Sequence, residues 1–165
     1  MFVRPEIPGD RVDVRTVHTA AFGRSAEADL VDSLRATEGW LPSLSLVAEQ
    51  DGTIVGHVLF SDVLLAGRPV LSLAPLGVHP DHQRAGIGSA LVRTGLAIAE
   101  RTDRGLVVVL GNPAYYGRFG FLASGAQGVI DPFQGPDGHF QLRRLPGYKA
   151  GLIGTVIYPP VFASL

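Results

Sequence analysis

The chain has 165 residues and no cysteine, is 46% hydrophobic and 18% charged, and carries a formal net charge of -1 at pH 7. This length and apolar content suit one globular domain, which we expect to span residues 1–165. The lack of cysteine excludes disulfides, thiolate metal ligands and a cysteine nucleophile, and the near-neutral charge argues against broad electrostatic capture of nucleic acid.

The first residues, MFVRPEIPGDRVDVR, lack the basic and apolar regions of a secretory signal. No apolar run approaches the roughly 18 residues that a membrane-spanning helix needs. We therefore expect a cytoplasmic protein whose partners include neither membrane nor nucleic acid.

The beginning of the chain predicts one short strand and two helices. MFVRP is an apolar opening typical of an edge strand that stops at Pro5. A first helix is expected over residues 10–21, because Val14, Val17, His18 and Ala21 recur there at helical spacing. A second helix is expected over residues 25–37, with Ser25 as its N-cap. Its apolar face comprises Leu30, Val31 and Leu34.

Three strands, a helix and a fourth strand follow. Two apolar runs flank Asp51 and Gly52, which is a strong hairpin signal, and residues 67–78 predict a third strand of one antiparallel meander. Helical periodicity returns after Gly86. Its apolar face comprises Ile87, Leu91, Thr94 and Ile98, broadened by Leu96 and Ala97. GLVVVL, residues 105–110, is typical of a central strand, and the helical crossover makes it a parallel neighbour of the third strand.

The end of the chain gives weaker signals. GNPAYYGRFGF, residues 111–121, predicts a turn or short helix that feeds a strand, whereas residues 125–147 are rich in glycine and proline and show no clear boundaries. A last strand is expected before Pro159, and the apolar YPPVF that follows indicates either a packed terminal strand or a homodimer contact. The whole order, two helices, three strands, a helix, a strand and a further strand, predicts a mixed α+β fold.

Glycines lie at the start of the helix that follows the third strand, in QRAGIGSA. A helix N-terminus presents unpaired N–H groups and a partial positive charge, and glycine there lets a phosphate approach the backbone. The stretch is not a Walker loop, because no Gly-Lys-Ser/Thr follows, and it lacks the third glycine of the dinucleotide fingerprint. Taken alone, it is compatible with phosphate binding or with a plain turn before a helix.

The same stretch resembles motif A of the GNAT N-acetyltransferase superfamily, whose signature is Gln/Arg-x-x-Gly-x-Gly/Ala. Gln83, Gly86 and Gly88 fill that signature, and the customary Val-x-Pro precedes it at Val78 and Pro80.

A second segment looks like the closing motif of that family, Asn…Tyr-x-x-x-Gly-Phe. The positions that fill it are Asn112, Tyr116, Gly120 and Phe121. Its double tyrosine is most similar to the predicted N-acetyltransferases of the YhbS type. Together the motifs cover residues 69–121. The resemblance implies the acyl-CoA N-acyltransferase fold, a mostly antiparallel mixed sheet flanked by helices with a splayed pair of parallel strands.

The resemblance implies an enzyme that transfers an acetyl group from acetyl-CoA to a primary amine of a small molecule or a protein. Loop amides of the family bind the pyrophosphate of coenzyme A, without a metal, and the five scattered histidines show no metal-ligand spacing. The cofactor contacts implied in this chain are Leu76, Gly77, Val78, Gln83, Arg84, Ala85, Gly86, Ile87, Gly88, Ser89, Asn112, Tyr115 and Phe119.

Two catalytic roles follow from the resemblance. A main-chain amide near Leu76 is expected to polarise the thioester carbonyl, on a strand with a β-bulge that Gly77 would suit. Tyr116 is expected to be the acid that protonates the departing thiolate, because its hydroxyl stays protonated at neutral pH. Tyr115 is the competitor, and only one of the two neighbours on a helical turn can face the sulfur.

The general base stays open. The strand before motif A reads VLSLAP and has none of the carboxylates that many family members carry there. The remaining candidates are Glu27, Glu49, Asp62, Asp131 and His139, beside a base that acts through water, and Glu27 is expected to be a solvated residue of a first helical turn. The missing carboxylate also supports an alternative function, an acyl-CoA-binding sensor or regulatory module without turnover. A third reading is an interaction protein that has lost the cofactor.

Overall fold

The computed structural model describes all 165 residues, and the contacts among them divide the chain into two compact units. The first unit comprises Met1–Ser61, Ala74–Ile98 and Pro160–Leu165, and the second comprises Asp62–Leu73 and Ala99–Pro159. A single domain over residues 1–165 therefore stays a prediction. None of the helices is both long and apolar enough to cross a bilayer.

The elements follow the predicted mixed order. The helices are α1 (Arg11–Phe22), α2 (Ala26–Leu34), α3 (Ile87–Ala99) and α4 (Pro113–Tyr116). The strands are β1 (Phe2–Pro5), β2 (Ser45–Gln50), β3 (Thr53–Leu65), β4 (Arg68–Val78), β5 (Leu106–Leu110), β6 (Leu122–Ala123), β7 (Val129–Ile130), β8 (Phe140–Arg144) and β9 (Gly154–Thr155). Hydrogen bonds join the strands in the order β1-β2-β3-β4-β5-β8-β6, and β7 pairs with β9 apart from that sheet. This mostly antiparallel mixed sheet with helices confirms the predicted fold class.

Two consecutive strand connections, β2 to β3 and β3 to β4, are tight turns. Asp51 and Gly52 both have positive φ, 50° and 76°, which is the backbone of a two-residue hairpin turn whose twist matches that of the strands. Ala66 and Gly67 repeat this pattern between β3 and β4, with φ of 52° and 73°. β1 pairs antiparallel with β2, and β2 with β3, so the predicted edge strand and hairpin are confirmed.

Helix α3 packs closely on β3 because two positions lack a side chain. A Cβ on Gly95 would lie 2.1 Å from the buried ring of Phe60, and a Cβ on Gly56 would lie 3.0 Å from side-chain atoms of Ile87 and Leu91. The face that α3 buries comprises Ile87, Leu91, Val92, Leu96 and Ala99. The sequence located this helix correctly but misplaced part of its face, since Ala97 is exposed and Thr94 and Ile98 are half-buried.

Helices α1 and α2 form where they were predicted, with two corrections at α2. Ser25 does not cap the helix: its backbone is already helical (φ -91°, ψ -9°), and its hydroxyl hydrogen-bonds the Asp29 carboxylate at 3.1 Å instead of a backbone N–H. The helix ends at Leu34 rather than Thr37. The Thr37 hydroxyl donates to the carbonyl of this last helical residue at 2.7 Å.

In the second unit, β4 and β5 form the predicted parallel pair, with Leu71 opposite Val107 and Ser72 opposite Val108. Strand β8 lies antiparallel beside β5, and no sequence pattern indicated it because it is enclosed by glycine and proline. The last strand is β9, which pairs in parallel with β7. The chain then forms a short 3-10 helix, Pro160–Ser164, that packs against α2 in the first unit. Because this segment is helical, the expectation of a terminal strand in YPPVF is wrong, although Phe162 is buried as a packed terminus would require.

Candidate active site

The end of β4 carries the first group of predicted site residues. Leu76 and Val78 are half-buried and Gly77 is buried. A Cβ on Gly77 would lie 2.6 Å from Nδ1 and 3.0 Å from Cε1 of His18, so the ring on α1 requires glycine at this position. The bulge expected at Gly77 stays a prediction, and this close approach is an independent reason for the residue.

The loop between β4 and α3 has an unusual backbone. After the 3-10 turn Pro80–His82, Arg84 and Gly86 both adopt the left-handed region, with φ of 62° and 83°. Glycine reaches this region freely, whereas for arginine it costs about 1–2 kcal/mol. Gln83 braces the loop, because its Nε2 donates to the Val78 carbonyl at 3.0 Å. Residues 83–86 are exposed, so this loop is an accessible, internally tied segment.

Helix α3 starts directly behind this loop, and the Ala90 N–H donates to the Gly86 carbonyl at 3.0 Å. The first N–H groups of a helix have no partner within it and lie at its positive end, which makes them an anion site. A Cβ on Gly86 would meet no atom within 4 Å, so its positive φ, and not crowding, requires glycine. The side chain of Ile87 is buried, which leaves only its backbone to contact a ligand, while Gly88 and Ser89 are half-buried.

The second motif forms α4 and the 3-10 turn after it. Asn112 caps α4: its Oδ1 accepts from the Ala114 N–H at 2.8 Å, and its carbonyl accepts from the N–H groups of Tyr115 and Tyr116. The capping alternative from the sequence is therefore present in the structure. Because Oδ1 is used, the side-chain Nδ2 is the donor that this exposed residue retains for a ligand.

Tyr116 is half-buried, and its ring lies against Gly111 and Phe121. A Cβ on Gly111 would lie 2.5 Å from the tyrosine Cε2, so this glycine makes room for the ring. Burial, with a smaller contribution from Tyr115, raises the pKa of the Tyr116 hydroxyl far above its ordinary value. The hydroxyl is therefore a proton carrier and hydrogen-bond donor throughout the neutral range.

The Tyr115 ring meets the Tyr116 ring edge-on, with the ring centres 5.0 Å apart and the two planes at 82°. The Arg118 guanidinium carbon lies 4.4 Å from the centre of the Tyr115 ring, and its Nε donates to the Tyr115 carbonyl at 3.1 Å. The ring of Phe119, which is 6% exposed, meets Tyr115 edge-on at 5.5 Å. Tyr115 is thus engaged in packing within this turn.

Among the candidate bases, Glu27 differs most from its prediction. The expected solvated glutamate is only 5% exposed and forms an ion pair with Arg24. Burial alone would raise the pKa of Glu27, but the Arg24 guanidinium outweighs it and holds the pKa below its ordinary value. Glu27 is therefore an ion-paired carboxylate and a weak base.

The other candidates are also engaged. Glu49 pairs with Arg4 at 3.0 Å and Asp62 with Arg104 at 2.7 Å. The Asp131 carboxylate caps a turn by accepting two backbone N–H groups at 2.8 Å, and His139 Nδ1 lies 3.3 Å from the carbonyl of Asp137.

Sequence reasoning missed one cluster near β4. His18 and His57 are both 0% exposed, and His18 Nε2 lies 2.8 Å from His57 Nδ1. The sequence showed His18 as a member of the apolar face of α1 and His57 inside an apolar strand, which could have indicated a buried pair. No pattern along the chain joined the two residues, because 39 positions separate them.

Comparison with known proteins agrees with this fold. Residues 12–121 match the family model described as the acetyltransferase (GNAT) family. The uncharacterized N-acetyltransferase YjhQ of Escherichia coli K12 is 42% identical over 135 residues, which cover 79% of this chain and 75% of that protein. The chain therefore belongs to the GNAT acetyltransferase family, and it is an acyltransferase.

Solved structures extend the similarity over nearly the whole chain. Escherichia coli YhbS, crystallised with CoA, is 33% identical and superposes with a TM-score of 0.90 over 98% of this chain and 91% of that one. A GNAT acetyltransferase from Brucella melitensis, crystallised with acetyl-CoA, is 34% identical and has a TM-score of 0.80 over 98% and 97% of the two chains. These relatives confirm the predicted fold and the predicted resemblance to the YhbS type.

Proposed function

We propose that the protein transfers the acetyl group of acetyl-CoA to a primary amine of a small molecule or a protein, by direct attack in a ternary complex. The observation that carries this proposal is the exposed loop with left-handed Arg84 and Gly86 at the start of α3. Non-glycine residues in this region are rare and cluster at ligand sites. Relatives of this chain have been crystallised with CoA and with acetyl-CoA.

The donor would be held at two places in the first unit. The main-chain N–H groups of residues 84–88 bind the pyrophosphate, with the Arg84 guanidinium and the Ser89 hydroxyl as further donors. The backbone of Leu76, Gly77 and Val78 accompanies the pantetheine arm, and an amide near Leu76 donates to the thioester oxygen. That hydrogen bond stabilises the negative charge that develops on the oxygen during attack.

The chemistry needs one bond made and one broken. The neutral amine nitrogen forms a bond with the thioester carbon, the carbon–sulfur bond breaks, the amine loses one proton to solvent, and the departing thiolate takes one from solvent. Tyr116 donates from its hydroxyl to the sulfur as charge develops there. Its raised pKa lies above that of a thiol, ordinarily about 8.5, so its main contribution is a hydrogen bond to the thiolate. Asn112 donates to the pantetheine arm through Nδ2.

A CoA-binding module without turnover is the second candidate. It is supported by two observations: β4 carries no carboxylate, and the candidate bases elsewhere are held in ion pairs, turns or carbonyl contacts.

One assay separates the two candidates. The purified chain is mixed with acetyl-CoA and a panel of primary amines, and release of free CoA is followed with a thiol reagent, while calorimetry measures CoA binding. Amine-dependent CoA release supports the acetyltransferase. CoA binding without release across small amines, polyamines and peptide N-termini supports the module, and loss of binding contradicts both.

A further inference from the structure

The buried histidine pair of the first unit is the strongest feature that the proposed mechanism leaves unused. The rings of His18 on α1 and His57 on β3 stand at 88° to each other, with His18 Nε2 and His57 Nδ1 2.8 Å apart. Both side chains are completely buried. A buried imidazole pair is more costly to fold than an apolar pair of the same volume, so its presence calls for a reason other than core packing.

The surroundings of His57 favour one arrangement of the protons of the pair. His57 Nε2 lies 2.8 Å from the Ser45 hydroxyl and 3.5 Å from the Glu6 carboxylate. Both Glu6 oxygens also accept from Arg35, at 2.8 and 2.9 Å, so this carboxylate faces His57 as a hydrogen-bond acceptor. We therefore assign the proton of His57 to Nε2, the nitrogen that faces this carboxylate and the Ser45 hydroxyl.

The protons of His18 follow from this assignment. His57 Nδ1 must accept, so His18 Nε2 carries the hydrogen that it donates to His57. The remaining ring nitrogen, His18 Nδ1, is buried without a hydrogen-bond partner, and in this arrangement it is a lone pair. The chain of contacts runs from Arg35 through Glu6 and His57 to His18, and it fixes which edge of the His18 ring points towards β4.

The edge so presented lies against Gly77. The Cβ that Gly77 lacks would come within 2.6 Å of His18 Nδ1 and within 3.0 Å of Cε1. Strand β3 also holds this segment, because the His79 N–H donates to the Val55 carbonyl at 2.9 Å and a Cβ on Gly56 would lie 3.4 Å from the Gly77 carbonyl oxygen. The backbone at Gly77 is thus enclosed between a histidine on α1 and the strand β3.

We propose that His18 is a positioning residue for acetyl transfer: its ring, oriented by His57 and Glu6, holds the Leu76–Val78 backbone so that an amide there meets the thioester oxygen. This inference rests on the proposed function. An apolar side chain could fill the same space, but only a hydrogen-bonded ring has its rotation about χ2 fixed by a partner. Small displacements of a donor towards a reacting carbonyl can reduce rate by about 100-fold.

The test is a set of matched substitutions assayed for kcat and KM with acetyl-CoA. His18→Phe keeps a flat ring and removes the hydrogen bond, His57→Leu removes the partner, and His57→Gln restores an acceptor for His18. We expect His18→Phe and His57→Leu to lower kcat by about 10- to 100-fold with KM changed less than about threefold, and His57→Gln to recover most of kcat. Thr19→Ala, an exposed neighbour on α1, is the control.

Each outcome has a distinct meaning. A wild-type protein without turnover contradicts the proposed function itself. An active wild type beside folded variants with unchanged kcat, or with a raised KM and unchanged kcat, overturns only the positioning role. Circular dichroism establishes folding of each variant.

A measurement on the wild type keeps the inference testable if the variants unfold. Histidine ¹⁵N NMR at pH 7 should show His18 protonated only on Nε2, and acetyl-CoA should shift its Nδ1 resonance. A protonated Nδ1, or a His18 signal that acetyl-CoA leaves unchanged, overturns the proposal.

Discussion

Tyr116 lies directly on the α-carbon of Gly111, where even a methyl group would come within 2.5 Å of the tyrosine Cε2. The Cβ of Gly111→Ala must displace this ring, because real Cβ contacts do not approach so closely. We therefore expect Gly111→Ala to lower kcat by about tenfold, while the affinity for CoA changes little. Steady-state kinetics with calorimetry tests this. Gly117→Ala is the matched control, since a Cβ there meets nothing within 4 Å, and equal losses in both variants would contradict the prediction.

Removal of the Tyr116 hydroxyl should have a limited effect on rate. Tyr116→Phe is expected to lower kcat by about 10- to 100-fold, at or below the low end of general acid contributions, because the raised pKa disfavours full transfer of this proton and leaves a hydrogen bond as the main contribution. Tyr115→Phe should change kcat by less than about threefold, since its ring is engaged with Arg118 and Phe119. A larger loss of kcat in Tyr115→Phe than in Tyr116→Phe would assign the hydroxyl that faces the sulfur to Tyr115.

The same pKa shift predicts the alkaline limb of the rate profile. A raised pKa keeps Tyr116 protonated to higher pH than a free tyrosine, so kcat should not fall through tyrosine ionisation below about pH 10. A pH profile of kcat in wild type and Tyr116→Phe measures this. A decline near neutral pH that disappears in Tyr116→Phe would show that the shift has the wrong sign.

The loop glycine should matter for affinity more than for rate. Gly86→Ala forces an L-residue into φ of 83°, at a cost of about 1–2 kcal/mol, and moves the amides that are proposed to bind the pyrophosphate. We expect KM for acetyl-CoA and Kd for CoA to rise about tenfold or more. Gly9→Ala, at a glycine without positive φ and with open space around it, should leave both constants unchanged. Unchanged CoA affinity in Gly86→Ala would remove the basis of the proposed function.

The contact between Gly95 and Phe60 predicts a stability effect that runs against helix propensity. Alanine is favoured over glycine in a helix by about 1 kcal/mol, but a Cβ at 2.1 Å from a fully buried ring overpacks the core by about 1–3 kcal/mol. Gly95→Ala should therefore lower the free energy of unfolding, measured by urea denaturation. Adding Phe60→Leu should recover part of the loss, whereas strict additivity of the two changes would contradict the steric explanation.

Acid should destabilise the fold through His18. Burial lowers its pKa from 6.5 to about 4, with Glu27 opposing and Arg35 reinforcing the shift, so the unfolded chain binds this proton more readily than the folded one. Stability is therefore highest above pH 6.5 and falls on the order of 3 kcal/mol towards pH 4. The free energy of unfolding, measured by urea denaturation at several pH values in this range, should depend less on pH in His18→Phe than in the wild type. Equal slopes would mean that His18 is accessible to protons in the folded state.

Features that depend on residues close together in the chain could be predicted from the sequence, whereas features that depend on distant residues could not. The Asp51–Gly52 hairpin and the α3 periodicity were readable because each depends on adjacent residues. Strand β8 was not, because its partner β5 is distant in sequence and its flanks are rich in glycine and proline. At the site, Gly86 could be identified from its place before a helix. The reason for Gly77 could not, since it depends on the ring of His18, brought there by tertiary packing.

The tether between Gln83 and the carbonyl of Val78 has a consequence for the length of the donor molecule. The Gln83 side-chain amide donates a 3.0 Å hydrogen bond to the end of β4, and so ties the loop proposed to bind the pyrophosphate to the strand proposed to accompany the pantetheine arm. This tie would keep the two proposed contacts of the donor molecule at a fixed distance from each other. Coenzyme analogues whose pantetheine arm is one methylene longer or shorter should still bind through their phosphates. Their thioester carbonyl should be displaced from the amide near Leu76.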